Sequence, residues 1–432
     1  MSKRSNLFSS ILSFMLCTSL CFAAPPVKSI VVFGDSLSDI GNTSHLLKSL
    51  RKDENPSYLV RPLKVYVINK MEEFAEEYYV PQILLDAGIR QVTEFFDYQL
   101  APMLADLIGS IRRVPVLPEK PYWNHRFSNG RVWFEYLAPM LGIDKEEEEQ
   151  YINKAFGGSW AMTYNRQLTI WNFIQHPLLT LKTLINGKLI PPSLGLIVQA
   201  YLMEHQQIDS QAHYFIFSGN NDYVNALIFE DTYEPEVMNR YIDNVLNDLS
   251  ASIHKLSQAG ARHFVIIGIP HVGNTPKFIH TAESAILNQA VDQHNQRLQQ
   301  LITDWQASLS SVADFIYIDA QDIFSKALTE PTRYGFTNIT DACIDVKLPM
   351  FNLIASRSPF THNYVLQYAQ VLQYRHPQFT QGETNYHVCQ TPENYLFWDE
   401  IHPSTRAHHY FAYEICLALK DKGYDTHCNM PT

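Results

Sequence analysis

Four short runs of β-branched and aromatic residues punctuate the chain: Ile30 to Phe33, Tyr214 to Phe217, His263 to Ile267 and Phe315 to Ile318. Each gives way to polar or glycine-rich residues. Continuous apolar strands of this length belong inside a parallel sheet, where both faces are covered. Between the second and third runs, Met238, Tyr241, Ile242, Val245, Leu249, Ile253 and Leu256 recur every three or four residues within Pro235 to Gly260. That spacing predicts an amphipathic helix joining one strand to the next, as a βαβ unit requires. Ile286 to Leu301 predicts another before the fourth run. Phe411, Ile415, Ala418 and Leu419 mark a last helix, stopped at Gly423. Alternating strands and helices imply a three-layer α/β/α sandwich with a mostly parallel central sheet.

Three stretches fall outside this alternation. Residues 45–123 carry Glu72-Glu73 and Glu76-Glu77 on a predicted helix, residues 164–211 are rich in Leu, Ile and Trp, and residues 335–386 mix aromatics with prolines. Each leaves the core near the carboxyl end of a strand, where open α/β sheets bind ligands. They are therefore expected to be insertions over the active-site edge of a single domain spanning 24–432. Glu146 to Glu149 is expected as a solvated helix face.

The first 23 residues read as an export signal: Lys3 and Arg4, an apolar stretch from Leu7 to Leu20, then Ala23 and Ala24 before Pro25-Pro26. The stretch is short for a bilayer core, which takes about 20 residues, and no later segment is long and apolar enough to span one. The expectation is a secreted chain without a transmembrane segment once mature. Across the full sequence 33 basic residues face 44 acidic ones, a net charge of -11, and loss of Lys3 and Arg4 makes the balance more acidic. That sign argues against nucleic acid or an anionic membrane surface as a partner. Cys17 and Cys21 depart with the signal, and Cys343, Cys389, Cys416 and Cys428 remain. An even number in an exported chain fits two disulfides. Three connectivities are open, of which Cys343 with Cys389 and Cys416 with Cys428 is the simplest. Their spacing lacks the close pairs of a zinc site, so no metal is expected.

Candidate chemistry begins at Phe33-Gly34-Asp35-Ser36-Leu37-Ser38-Asp39-Ile40-Gly41-Asn42, where a serine follows a buried strand. A serine hydroxyl needs a base within reach, itself oriented by a third group. Trp398-Asp399-Glu400-Ile401-His402-Pro403 supplies both, three residues apart. Pro403 biases His402 out of the helical region and is suited to opening the helix that follows. Oxyanion donors are available from the Ser36 backbone, from Phe156-Gly157-Gly158-Ser159 and from Phe217-Ser218-Gly219-Asn220-Asn221-Asp222. Ser159, near a Gly-x-Ser-x-Gly elbow, is a rival nucleophile, but Tyr151 to Ala155 is too weakly apolar to be the strand that motif requires.

The order Gly-Asp-Ser-Leu, a glycine pair, Gly-x-Asn-Asp and Asp-x-x-His resembles the GDSL or SGNH hydrolase family. Phe127-Ser128-Asn129-Gly130-Arg131-Val132-Trp133 and Gly268-Ile269-Pro270 are also similar to family features. The resemblance implies a flavodoxin-like SGNH fold without a cofactor, with Ser36 as nucleophile, His402 as general base and Asp399 as its orienter. It carries over Ser36, Gly158 and Asn221 as oxyanion donors. Gly157 competes with Gly158 by a one-residue shift, and Asn221 is preferred to Asn220 because it directly precedes Asp222. Asp39, Asn42 and Gly219 are expected to support the turns.

Export, long insertions and apolar segments such as Ile170 to Ile185 favour a lipid ester. The long opening block and the cysteine-flanked late insertion resemble the bacterial glycerophospholipid:cholesterol acyltransferase branch. That resemblance implies phospholipid and lysophospholipid substrates, acyl transfer to a sterol, and an activating protease that cuts the cysteine-closed loop, with Ser356 to Gln381 the cleavable span. The alternatives are an exported carbohydrate O-acetyl esterase and a binding protein on a hydrolase scaffold.

Overall fold

The computed structural model describes residues 24–52, 57–102, 120–143, 150–162, 192–205, 207–224, 226, 234–309, 312–346 and 386–430. Glu146 to Glu149, Ile170 to Ile185 and Ser356 to Gln381 lie outside them, as do residues 1–23.

Strand β1 (Ile30–Gly34) leads into helix α1 (Asn42–Lys52), followed by α2 (Ser57–Glu77), α3 (Gln82–Phe95) and α4 (Trp133–Met140). Then come β2 (Tyr151–Asn153), α5 (Leu194–Glu204), β3 (His213–Phe217), α6 (Asn220–Val224), α7 (Pro235–Ala259) and β4 (His263–Ile267). Helix α8 (Glu283–Leu309), β5 (Asp314–Ile318) and α9 (Ala320–Thr329) complete the main alternation. Four short strands follow, β6 (Asn338–Ala342), β7 (Ile344–Val346), β8 (Tyr386–Val388) and β9 (Tyr395–Phe397), before α10 (Thr405–Asp421).

The main sheet is parallel throughout, in the order β2-β1-β3-β4-β5. Period-two alternation divides its side chains between two cores. Val31, Phe33, Tyr214, Ile216, Phe264 and Ile266 face α5, α7 and α8. Ile30, Val32, Phe215, Phe217, Val265 and Ile267 face α4, α9 and α10. A sheet covered on both faces explains the continuous apolar runs, and each such side chain contributes about 1.5–3 kcal/mol of burial. This is the three-layer sandwich expected from the sequence.

Three details differ from the expectation. Tyr151–Asn153 does form a strand, because as the edge strand β2 it needs only β1 as a partner. The range 164–211 overreaches: Leu194, Ile197, Val198 and Tyr201 of α5 are buried in the first core, so that helix belongs to a layer. Pro403 does not open the last helix, which is capped by Ser404, whose Oγ accepts from Ala407 N. The helix through Glu72-Glu73 and Glu76-Glu77 is present as α2, and Gly423 ends α10 with φ 91°. The disulfides are Cys343–Cys389 and Cys416–Cys428, the simplest pairing.

Besides His402, three histidines among the described residues are buried in this framework. Burial, reinforced by a neighbouring His263, holds His213 down to about 4. Burial also holds His294, beside Arg297, and His408, beside His402, down to about 3. Both ring nitrogens of His213, and Nε2 of His294 and His408, lack a hydrogen bond among the described residues. The folded chain thus keeps all three neutral where the unfolded chain, with an ordinary value near 6.5, takes up protons. Their stabilisation is complete above about pH 6.5 and is lost as pH falls toward the folded values. The rate is up to about 1.4 kcal/mol per pH unit for each histidine. Asp39, whose carboxyl burial raises, works in the opposite sense but is one group against three. The urea midpoint is expected to fall between about pH 7 and pH 5, with a shallower slope in His213→Phe. An equal slope in that variant would show that His213 is not a source of the acid sensitivity.

Candidate active site

The strand order reverses at β1, and ligands of open α/β sheets bind in the crevice outside the carboxyl ends at such a point. Ser36 lies two residues past β1 and Asn221 four past β3, on the two sides of that crevice. Gly34 is required there, since a Cβ would come within 2.7 Å of Phe217 O. Asp35 closes the serine turn. Its Oδ1 accepts from Leu37 N at 3.0 Å, its carbonyl accepts from Ser38 N at 3.1 Å, and its Oδ2 accepts from Asn220 Nδ2 at 2.9 Å. The Leu37 and Ser38 amides are thereby committed inside the turn.

Asp399 and His402 arrive on the return between Leu396 and Ser404. Trp398 N donates to His402 O and Ser404 N to Leu396 O, both at 2.8 Å, and Phe397 and Pro403 form an antiparallel bridge. The bridge explains the place of Pro403, whose carbonyl accepts from Ser128 Oγ at 2.9 Å. Asp399 Oδ1 draws the head of the return together by accepting from Ile401 N at 2.8 Å and His402 N at 2.6 Å.

These two segments bring the three residues into one chain of hydrogen bonds. His402 Nδ1 is 2.6 Å from Asp399 Oδ2, and His402 Nε2 is 2.8 Å from Ser36 Oγ. An ionised carboxylate only accepts, so the imidazole proton sits on Nδ1 and the Nε2 lone pair faces the Ser36 hydroxyl. Ser36, Asp399 and His402 are 4%, 5% and 1% exposed, which strengthens each of these contacts by excluding water.

The remaining motif residues frame the space beside Ser36. Asp39 accepts from the amides of Gly41 and Asn42 at 2.7 Å and of Gly157 at 2.9 Å. Asn42 Nδ2 donates to Asn153 O and Ala155 O, tying the serine turn to the end of β2. Gly157 N also donates to Thr43 Oγ1 at 2.6 Å, and a Cβ on Gly157 would stand 2.2 Å from the Phe127 ring. The two glycines thus answer different needs: Gly157 makes room for Phe127, while Gly158 has φ 82°. Asn221 Nδ2 donates to Ser159 O at 2.8 Å, and Asp222 accepts from Ala161 N and Met162 N at 2.9 and 3.0 Å. Gly219, with φ 121°, makes the turn out of β3. Ser159 Oγ is buried without a hydrogen-bond partner among the described residues, and so lacks the base a nucleophile needs.

Other contributors were missed in the sequence. Tyr122 OH donates to Asp399 Oδ2 at 2.7 Å, and a single tyrosine in an aromatic-rich stretch gives no signal of that. Phe127 stacks at a tilt of 34° against the His402 ring, 5.2 Å away. Asn129 Oδ1 accepts from Thr405 N at 2.7 Å, and Trp133 Nε1 donates to Ser38 Oγ at 3.0 Å. The block from Phe127 to Trp133 was visible as a motif, and its role is to bolt the serine turn to the histidine return.

A flavodoxin-ordered α/β sandwich presenting Ser-His-Asp at its carboxyl edge defines the class as an SGNH-type hydrolase. The family model described as GDSL-like Lipase/Acylhydrolase matches residues 30–415, and the chain belongs to that family. It is 21% identical to the GDSL esterase/lipase EXL2 of Arabidopsis thaliana over 433 aligned positions, 92% of this chain and 91% of that protein. A GDSL lipase of Tanacetum cinerariifolium is 21% identical over 411 positions, 93% of this chain and 88% of the relative. The thermolabile hemolysin of Vibrio parahaemolyticus is 22% identical over 292 positions, 66% of this chain and 54% of the relative.

A hydrogen bond to a charged group is worth about 1.5–3 kcal/mol. Tyr122→Phe, which removes one from Asp399, is expected to lower kcat on p-nitrophenyl acetate roughly tenfold in a chain with unchanged circular dichroism. Wild-type turnover in the variant would mean that the Tyr122 contact with the Asp399 carboxylate does not bear on turnover.

Proposed function

We propose that this chain is a secreted serine lipolytic acyl hydrolase and acyltransferase, with phospholipase A and lysophospholipase activity. The reading includes acyl transfer from glycerophospholipid to cholesterol, and the finer likeness to the secreted PlaC-type enzyme of Legionella. The observation that carries the serine-ester part is the 2.8 Å contact of Ser36 Oγ with His402 Nε2, backed by Asp399 at 2.6 Å. The relatives named as a lipase and a hemolysin support a lipid substrate. The two disulfides support export.

In this mechanism Ser36 Oγ attacks the ester carbonyl while His402 Nε2 takes the hydroxyl proton and Asp399 stabilises the imidazolium. The oxyanion is held by the amides of Ser36 and Gly158 and by Asn221 Nδ2. Three features favour this set over its neighbours. The Leu37 and Ser38 amides are committed to Asp35, the Gly157 amide to Asp39 and Thr43, and the Asn220 amide to Asp35. Asn221 Nδ2 donates to Ser159 O, which orients the amide beside Ser36. Collapse breaks the ester bond, His402 returns its proton to the departing lysolipid oxygen, and the acyl group stays on Ser36. His402 then deprotonates water or the sterol hydroxyl, that oxygen attacks the acyl carbon, and the proton passes back to Ser36 Oγ.

The same reading includes activation by a cut between Cys343 and Cys389. The disulfide, with a sequence separation of 46, would keep the two new ends tethered. The test is an assay of purified chain on mixed phospholipid and cholesterol vesicles, before and after limited proteolysis. Fatty acid and cholesteryl ester are expected from wild type, more after nicking, and neither from Ser36→Ala. A strong preference for acetyl esters over phospholipid would favour the carbohydrate esterase instead, and equal activity of cut and uncut chains would remove the activation step.

A further inference from the structure

A cleft opens beside Ser36 and His402 and reaches α9, and no motif announces its far wall. Gln321, Phe324, Ser325 and Leu328 line it. Their spacing of three, one and three residues forms a single stripe along one side of a helix. Behind the stripe, Phe324 and Leu328 pack on the second core, and the Phe324 ring stands 5.7 Å from that of Phe411. The loop after β4, with Pro270 and Val272, also lines the cleft, as do Leu37 and Val224.

Several polar groups on these walls are already engaged within the protein. Gln321 Oε1 accepts from His271 N at 2.5 Å, and Gln321 Nε2 donates to His271 Nδ1 at 2.8 Å and Ser325 Oγ at 2.9 Å. Acceptance at Nδ1 leaves the His271 proton on Nε2, 2.7 Å from Asp292 Oδ1. Thr275 Oγ1 donates to Val272 O at 2.7 Å, and Asn274 Oδ1 accepts from Asn288 Nδ2 at 2.8 Å. Asn220 Oδ1, without a partner among the described residues, is closed off from solvent. A sugar buried here would forfeit hydrogen bonds to water and find few replacements, at a cost for each one lost. An alkyl chain asks only for apolar contact.

We propose that this cleft is the acyl-chain subsite: the fatty acyl tail of the ester runs from Ser36 along the α9 stripe, and Phe324 and Leu328 set the chain-length preference. The proposal rests on the reading of Ser36 as the residue that is acylated. In the acyl-enzyme the carbonyl carbon is bonded to Ser36 Oγ, so the tail must leave from that point, where the cleft begins. A hydrocarbon wall built from a helix face with a packed core behind it is rigid, so the depth available to the tail is fixed by side-chain size.

The readout is the ratio of kcat/KM for p-nitrophenyl decanoate to that for p-nitrophenyl acetate. Leu328→Trp is expected to lower the ratio roughly tenfold or more. Ser325→Phe, which fills the same stripe without altering the core contact, is expected to do the same and decides the matter if Leu328→Trp does not fold. Lys326→Ala, at an exposed position of the same helix, is expected to keep the wild-type ratio. An unchanged ratio in the cleft variants, or an equal fall in Lys326→Ala, overturns the subsite. A wild-type chain inert on both esters, or a Ser36→Ala chain active on both, overturns the serine-ester reading itself and the subsite with it.

Discussion

The hydrogen bond between Ser36 and His402 joins residues 366 positions apart, and neither residue can hold its place alone. Ser36 sits on a turn whose geometry comes from β1, the most constrained kind of segment available: a strand paired on both sides within a sheet covered on both faces. His402 sits on a short return whose geometry comes from its own bridge and from Asp399. A misplacement of about 1 Å between reacting groups can cost a hundredfold in rate. The surrounding residues are arranged to prevent it.

That arrangement is a set of cross-braces of high sequence separation. Ser128 and Asn129 hold Pro403 and Thr405, Trp133 holds Ser38, and Asn220 holds Asp35. Asp39 and Asp222 perform parallel tasks on either side of the crevice, each using a buried carboxylate to collect backbone amides from the loop 157–162. A buried carboxylate is costly unless fully hydrogen-bonded. Here the cost secures a rigid frame, and the Cys343–Cys389 link extends it, since Cys343 N and Ile344 N donate to Phe397 O and Trp398 O on the return itself.

The sheet was legible in the chain because the β-branched runs are both short and continuous, a pattern that only a doubly covered parallel strand explains. β2 was not, because Tyr151–Asn153 is three residues long and its residues are only half-buried, so neither hydropathy nor periodicity registers it. Residues now drawn together around Ser36 were recognisable where they stood in compact blocks, as at Asp399 and His402. Tyr122 and the α9 stripe were not recognisable. Tyr122 acts through a contact 277 positions away, and Gln321, Phe324, Ser325 and Leu328 have the same spacing as any helix face turned to a core. Only the third dimension separates a face that packs from one that also lines a cleft.

The engaged polar groups of the cleft bear on how an acyl-enzyme at Ser36 would choose its acceptor. Polar recognition discriminates strongly when a site holds unpaired donors and acceptors for one ligand, and weakly when it does not. With Gln321, His271, Thr275 and Asn274 bonded to protein partners, little is left on these walls to distinguish one hydroxyl from another by hydrogen bonding. Discrimination between water and a bulkier alcohol then falls to shape and to exclusion of water. On the proposed reading a tail lying along α9 would fill the apolar side of the cleft and displace solvent from it, so the acyl group itself would become part of the barrier to hydrolysis. In such a site hydrolysis and transfer are not separate activities requiring separate residues. On the proposed reading they are two fates of one intermediate, divided by how completely the acyl chain and its surroundings keep water from His402 Nε2.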